Sequence, residues 1–173
     1  MDSLKSLIAS VADLLDRQLA LLLNPLTSAG LPADLVGAEG QAATVNFGFK
    51  AMGITSCALT AEALKQTMPA SAFSRSTENH NQDKVSMGTI AARDCLRVLE
   101  LSEHVAVIHL LALCQAADLR GHARSHARSR ALHAAVRRVA ARHTEDRAMD
   151  GEIRDLLALY HAGELPFGEI DFA

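Results

Sequence analysis

Tryptophan is absent from these 173 residues, tyrosine occurs once, phenylalanine five times and proline four times. A chain with 3% aromatic residues lacks what β-sandwiches and barrels are built from, because strands draw on aromatic and β-branched side chains. Cysteine is scarce too. Cys57, Cys95 and Cys114 are odd in number and far apart, which argues against a disulfide framework or a zinc site. They are expected to be reduced core thiols of a cytoplasmic protein. Long hydrophobic runs are missing. The longest, 105–114, is interrupted by His109 and is too short to span a bilayer, so no membrane is expected as a partner. With Asp2, Lys5, Asp13 and Asp16 in the first residues, these are not expected to act as a signal peptide. Charge of one sign is lacking as well: the formal net charge is −3, which gives nucleic acid no global attraction.

What is present favours helices. Alanine supplies 31 residues and leucine 25, with 49% hydrophobic residues against 21% charged, a mix that excludes a disordered chain. The fold class is therefore all-α. Apolar spacing predicts a first helix over 2–23, with Leu4, Leu7, Ile8, Val11, Leu14, Leu15, Leu19 and Leu22 in step and Gln18 as the one polar interruption. Asn24-Pro25 ends it, since proline cannot continue the hydrogen-bond ladder. A loop over 24–40 carries Pro25, Gly30, Pro32, Gly37 and Gly40. A second helix is predicted over 41–66. Within it, Gly48 and Gly53 imply close backbone approach or a break. Periodicity fails over 67–82. Asp83 is the expected N-cap of a third helix over 85–118. The run 105–114 is apolar on every face except at His109, so we expect this helix to be wrapped by more neighbours than one small domain offers. Beyond Leu119 the composition turns basic, with a fourth helix expected over 123–142, a short fifth over 151–162 and a loose tail over 163–173. The division falls at 120: a helical segment 1–120 and a basic C-terminal segment 121–173.

The strongest local signal is His80-Asn81-Gln82-Asp83-Lys84-Val85-Ser86-Met87-Gly88. It puts amide and imidazole side chains just before a long helix, where free N–H groups and the helix dipole attract a carboxylate or another anion. The competing interpretation is that Asn81 and Asp83 only cap the helix.

Four stretches, in order, carry a wider resemblance. They are 26–35 with Gly30-Leu31-Pro32, Val45-Asn46-Phe47-Gly48-Phe49, 76–93 around the signal just described, and 111–120 with Cys114-Gln115 followed by Asp118 and Arg120. Together they resemble the aromatic amino acid ammonia-lyases and aminomutases, which include the histidine, phenylalanine and tyrosine lyases. Their counterparts there are a Leu-Pro loop, an Asn-Ser-Gly-Phe segment (Phe47 here replaces the Ser), the loop before a long helix, and a Cys-Gln-x-x-Asp-x-Arg signature. The resemblance covers residues 4–120; the basic segment after Gly121 matches weakly.

The resemblance implies a long-helix bundle like the C-terminal part of the ammonia-lyase fold. It also implies a homotetramer whose active sites draw on several subunits. The implied reaction is non-oxidative elimination of ammonia from an L-aromatic amino acid, giving the arylacrylate. The family's electrophile is methylidene-imidazolone, formed from an internal Ala-Ser-Gly, and its base is a tyrosine. Ala-Ser-Gly does not occur here; the nearest strings are Ala9-Ser10-Val11 and Ala70-Ser71-Ala72. The lone Tyr160 lies outside the matched region, and the family's Tyr-x-x-Arg clamp is absent. No cofactor is expected in this chain, and methylidene-imidazolone would come from an upstream region. No complete catalytic set is expected either. The chain is expected to be a fragment, a subunit completed by an upstream half or other lyase subunits, or a catalytically dead relative serving as a helical oligomerisation protein.

The resemblance assigns Gln82 to the position facing the electrophile and the substrate's amino group, with Asn81, His80 and Asn46 as further substrate-binding candidates. Histidine lyases place Glu at that position; phenylalanine and tyrosine enzymes and many aminomutases place Gln. A neutral amide suits a phenyl or phenol ring and a carboxylate suits an imidazole, so Gln82 points toward Phe or Tyr. Phe49 is expected in the core.

Other features have plainer readings. His122 and His126 are spaced i, i+4 as two zinc ligands would be, but no third ligand is evident and no metal is expected. The arginines after Leu119 suit phosphate contacts, yet Glu145, Asp146, Asp150, Glu152 and Asp155 stand ready to neutralise them. His109 is expected as a satisfied core or interface residue. Arg93 and Arg97 are expected to pair with Asp94, Glu100 or Glu103.

Overall fold

A computed structural model describes residues 1–121 and 125–168. Among the described residues there are five α-helices: α1 (Asp2–Leu23), α2 (Lys50–Lys65), α3 (Gly88–Arg120), α4 (Ala127–Arg137) and α5 (Asp150–His161). Short 3-10 turns occur at Ala33–Leu35, Gly40–Thr44 and Ala70–Phe73. Among the described residues there is no strand, only one isolated antiparallel bridge between Thr77 and Gln82. No helix among them is long and apolar enough to cross a membrane.

The sequence pattern located α1, and the remaining expectations need correction at their ends. The second helix starts at Lys50, not at 41, because Gly48 takes φ +56° and a Cβ there would lie 2.5 Å from the Asp34 carbonyl oxygen. Gly53 provides the close approach: a Cβ would meet Leu23 Cδ1 at 2.9 Å. The glycine pair thus marks both a break and a contact. α3 begins at Gly88, three residues after the expected start, and Asp83 does not cap it. Ser86 Oγ instead accepts the Gly88 N–H at 3.2 Å. At about 1.5 Å per residue α3 is about 50 Å long. The expected start of the fourth helix at 123, the zinc candidate His122 and the tail residues 169–173 lie outside the described residues.

The chain divides into two compact units, Met1–Arg17 with Thr55–Ala106 and Gln18–Ile54 with Val107–Ala173. In the first, Ala9, Ala63, Val98 and Leu101 form a buried cluster, with Ile8 and Leu59 packed against it. The small side chains let α1, α2 and α3 approach closely. In the second, Leu31, Leu35, Phe49, Ile108, Leu111, Val136 and Leu156 are buried. The apolar run 105–114 is largely buried by its own chain, with Ala106 and Leu110 half-buried and Leu113 45% exposed. The uncovered apolar surface is elsewhere. On α1, Leu4, Leu7, Val11 and Leu14 are 40–63% exposed, while Lys5, Ala9, Ala12 and Asp16 are buried.

Candidate functional site

Gln82 sits on a loop of the first unit that leaves the 3-10 turn Ala70–Phe73 and returns at the start of α3. The loop has its own hydrogen-bonded frame. Ser74 Oγ donates to the Val85 carbonyl oxygen at 2.7 Å and accepts the Val85 N–H at 2.8 Å, which ties the two ends together. Within the loop, Thr77 and Gln82 exchange both backbone bonds, at 3.0 and 3.3 Å. The turn between them needs Glu78, Asn79 and His80 in the left-handed region, at φ +54°, +51° and +69°. Three such residues in succession are unfavourable without glycine, so the surrounding bonds must hold them. Those bonds are present. The Asn81 N–H donates to the Glu78 carbonyl oxygen at 3.0 Å, Asn81 Nδ2 to Glu78 Oε2 at 3.3 Å, and Ser76 Oγ meets His80 Nδ1 at 2.9 Å. Thr77 Oγ1 donates to Gln82 Oε1 at 3.3 Å.

His80, Asn81 and Gln82 are therefore together on one loop, and all three are exposed. His80 and Asn81 bond within the loop, while the Gln82 amide nitrogen has no hydrogen-bond partner among the described residues. Beside the loop's base lies a cleft of about 450 Å³ lined by Ser71, Ser74, Lys84, Ser86, Met87 and Gly88 among others. It holds the one lysine of the loop next to the α3 N-terminus, a setting that favours negative charge.

The loop's foundation is a buried ammonium that sequence reasoning passed over. Lys5 is fully buried; its Nζ lies 2.8 Å from the Met68 carbonyl oxygen, 3.0 Å from Asp2 Oδ1 and 3.4 Å from Asp94 Oδ2. Asp2 in turn accepts the N–H groups of Ala70 and Ser71 at 3.0 and 3.3 Å. The Ala70 bond is the main cause that holds the Asp2 carboxyl well below the usual range, with Lys5 next. No periodicity marks Lys5 as inward-facing; only its place between Asp2 and Ala9 on the small-residue face of α1 hints at it.

The same face of α1 carries Asp16, almost fully buried. Burial alone would raise its pKa, but Arg17, Ser56 at 2.7 Å and Cys57 at 3.5 Å hold the carboxylate, and the net shift is downward. Cys57 is exposed rather than a core thiol, whereas Cys95 and Cys114 are buried as expected. Arg97 bridges Glu62 at 2.7 Å and Glu100 at 2.9 Å, and Asp94 goes to Lys5 instead.

Asn46 belongs to the second unit, and its side chain is engaged there. Nδ2 donates to the Ala42 carbonyl oxygen at 2.9 Å, and Oδ1 accepts the Asp146 N–H at 2.6 Å. Asp146 returns the favour through its carboxylate, which takes the Phe47 and Gly48 N–H groups at 2.7 and 2.9 Å. Phe49 is buried and meets the His143 ring edge-on at 5.5 Å, in the core role expected of it. Gln115, fully buried, donates to the carbonyl oxygens of Leu35 at 3.2 Å and His143 at 2.8 Å and accepts the His143 N–H at 3.0 Å. Asp118 holds His133 at 2.7 Å and Arg137 at 2.8 Å, and Arg120 donates to the Ser28 carbonyl oxygen. The Cys-Gln-x-x-Asp-x-Arg stretch thus clamps neighbouring loops through Gln115 and Arg120 and α4 through Asp118. His109 is buried, in the core placement expected of it, and burial lowers its pKa. His126 Nδ1 accepts the Arg128 N–H at the start of α4. No group of three metal-ligating side chains occurs among the described residues.

The sequence profile of the aromatic amino acid lyases matches residues 1–138. The histidine ammonia-lyase of Koribacter versatilis is 33% identical over 165 residues, covering 95% of this chain and 31% of the relative. The tyrosine ammonia-lyase of Cupriavidus metallidurans is 36% identical over 167 residues, again 95% and 31%. Among solved structures, a tyrosine aminomutase from Streptomyces globisporus superposes with a TM-score of 0.87 at 32% identity, covering 95% of this chain and 31% of that one. Histidine ammonia-lyase from Trypanosoma cruzi gives 0.84 at 33% identity, covering 93% and 31%. The chain spans just under a third of the length of the curated relatives it matches. On sequence and fold together, this chain belongs to the aromatic amino acid lyase family.

Proposed function

We propose that this chain supplies the Gln82 side of a composite active site for non-oxidative elimination of ammonia from L-Phe, L-Tyr or L-His. The observation that carries the proposal is the Gln82 loop itself. It is an exposed loop held by its own hydrogen bonds, in a sequence related to the aromatic amino acid lyases. The chemical difficulty is a weakly acidic proton beside a poor amine leaving group, which calls for an electrophile and a base held around the substrate. The Ala-Ser-Gly that would form methylidene-imidazolone does not occur in these residues. The chain does not fit that group by itself, and other polypeptide has to provide both electrophile and base. What this chain offers is a neutral amide opposite the amino group. That favours Phe or Tyr over His, because an amide suits a phenyl or phenol ring and a carboxylate an imidazole.

Assembly with other lyase subunits or an upstream half follows from the same reading. Leu4, Leu7, Val11 and Leu14 repeat at three- and four-residue spacing along the exposed face of α1, the pattern by which helices pack side by side. The three free thiols accord with a cytoplasmic protein. A second reading is a non-catalytic helical oligomerisation protein derived from the family; the missing Ala-Ser-Gly favours it.

Co-expression with a polypeptide carrying Ala-Ser-Gly and Tyr-x-x-Arg, followed by arylacrylate absorbance, separates the two. Activity with an aromatic amino acid supports the lyase reading. A formed electrophile without turnover on Phe, Tyr or His supports the second.

A further inference from the structure

We propose that Ser74 and Thr77 are the positioning residues for Gln82: Ser74 closes the loop that carries it, and Thr77 sets which end of its amide is presented. The proposal deepens the reading of Gln82 as a substrate-facing group and rests on it.

Ser74 spends both capacities of its hydroxyl on one residue eleven positions away, donating to the Val85 carbonyl oxygen and accepting the Val85 N–H at 2.7 and 2.8 Å. This is the bond pair that a strand partner would make, supplied by a single side chain. Lys84 Nζ adds a contact to the Ser74 carbonyl oxygen at 3.4 Å. Ser74 directly follows the turn Ala70–Phe73, whose N–H groups Asp2 holds and whose approach at Met68 the buried Lys5 fixes. The base of the loop is therefore pinned to α1 and α3, and its tip is free of packing. Loss of the Ser74 hydroxyl would unfasten the loop and leave the core intact, because a half-buried N–H and C=O would then have to find water.

Thr77 acts closer to the amide. Its backbone pairs with Gln82 in both directions, and its hydroxyl donates to Gln82 Oε1 at 3.3 Å. With the oxygen held back, the two N–H donors of Nε2 face outward. An outward donor offers no acceptor to the N–H of an imidazole, and it is compatible with a phenyl ring or a phenol oxygen. A carboxylate at this position would keep one oxygen on Thr77 and present the other as an acceptor. Thr77 thus converts the choice of amide or acid at position 82 into a choice of donor or acceptor toward substrate.

The test uses the full chain and amide exchange and relaxation by NMR. Ser74→Ala is expected to speed exchange at Thr77, Gln82 and Val85 by about tenfold while Val98 and Leu101 in the core are unchanged; Ser74→Thr, which keeps the hydroxyl, is expected to restore protection. Unchanged exchange at Val85, or acceleration that includes the core, overturns the role of Ser74. Thr77→Val is expected to lower the order parameter of the Gln82 side-chain amide and Thr77→Ser to retain it; equal values in both overturn the role of Thr77. In an assembly with a polypeptide carrying Ala-Ser-Gly and Tyr-x-x-Arg, Thr77→Val then shifts the kcat/KM ratio of Phe over His, and Thr77→Ser does not. If relaxation and exchange change as described and the completed assembly makes no arylacrylate, positioning stands and the lyase reading falls.

Discussion

Asn46 and Asp146, one hundred residues apart, hold each other reciprocally. Asn46 Oδ1 accepts the Asp146 N–H, and the Asp146 carboxylate takes the N–H groups of the two residues that follow Asn46. The family profile ends at 138, so the second half of this clamp comes from beyond the profile match.

Asp146→Ala is expected to destabilise the chain by about 1–2 kcal/mol, since two N–H groups lose a charged acceptor in a site that water reaches. Those N–H groups, Phe47 first, lower the Asp146 pKa, with His143 adding to them and desolvation opposing. A carboxyl with a lowered folded pKa adds stability above its unfolded value, about 3.9, and loses it as pH falls toward the folded value. Urea unfolding at pH 7 and pH 3 checks both points: the variant's deficit should shrink at pH 3.

Lys5→Met is expected to cost about 2–3 kcal/mol, toward the low side for a broken buried pair, because Asp2 and Asp94 keep some access to water. Denaturant unfolding measures the loss. Exchange at Ala70 and Ser71 should rise with it, since Asp2 would no longer be held toward their N–H groups.

His109 gives a second pH dependence. Burial lowers its pKa, so the folded state resists protonation that the unfolded chain accepts. The sign follows: its contribution is fully present above the unfolded value of about 6.5 and is lost as pH drops below it. His109→Leu is expected to flatten stability between pH 7 and pH 5, as read by thermal unfolding across that range.

Thiol labelling should separate the cysteines. Cys57 is exposed, yet burial of its sulfur and the adjacent Asp16 carboxylate raise its pKa; Cys114 is pushed up to about 11 by desolvation. Native protein at pH 8 is expected to label slowly at Cys57 and not at Cys95 or Cys114, with all three reacting on unfolding. Asp16→Asn should speed labelling of Cys57.

Helix content was legible because the apolar residues of α1 keep step and because α3 is long and unbroken by proline or an interior glycine. Which face turns inward was not. Leu4, Leu7 and Leu14 of the α1 stripe are exposed although Leu19 of the same stripe is buried, and Lys5 and Asp16 lie inside; a hydrophobic pattern marks where a helix is covered, without saying whether by its own chain. Motif resemblance found the Gln82 loop. The three left-handed residues behind it are Glu, Asn and His, so no glycine announced the turn, and Ser74, Thr77 and Asp146 reach their partners through tertiary contacts that leave no local periodicity.

The most direct test of the central claim, that Gln82 faces substrate, is the kcat/KM ratio of L-Phe to L-His in an assembly of this chain with a polypeptide carrying Ala-Ser-Gly and Tyr-x-x-Arg, with Gln82 and with Gln82→Glu. The account predicts a ratio favouring Phe with Gln82 and a shift toward His with Glu. A ratio that does not move on that substitution, in an assembly that turns over both substrates, would contradict it.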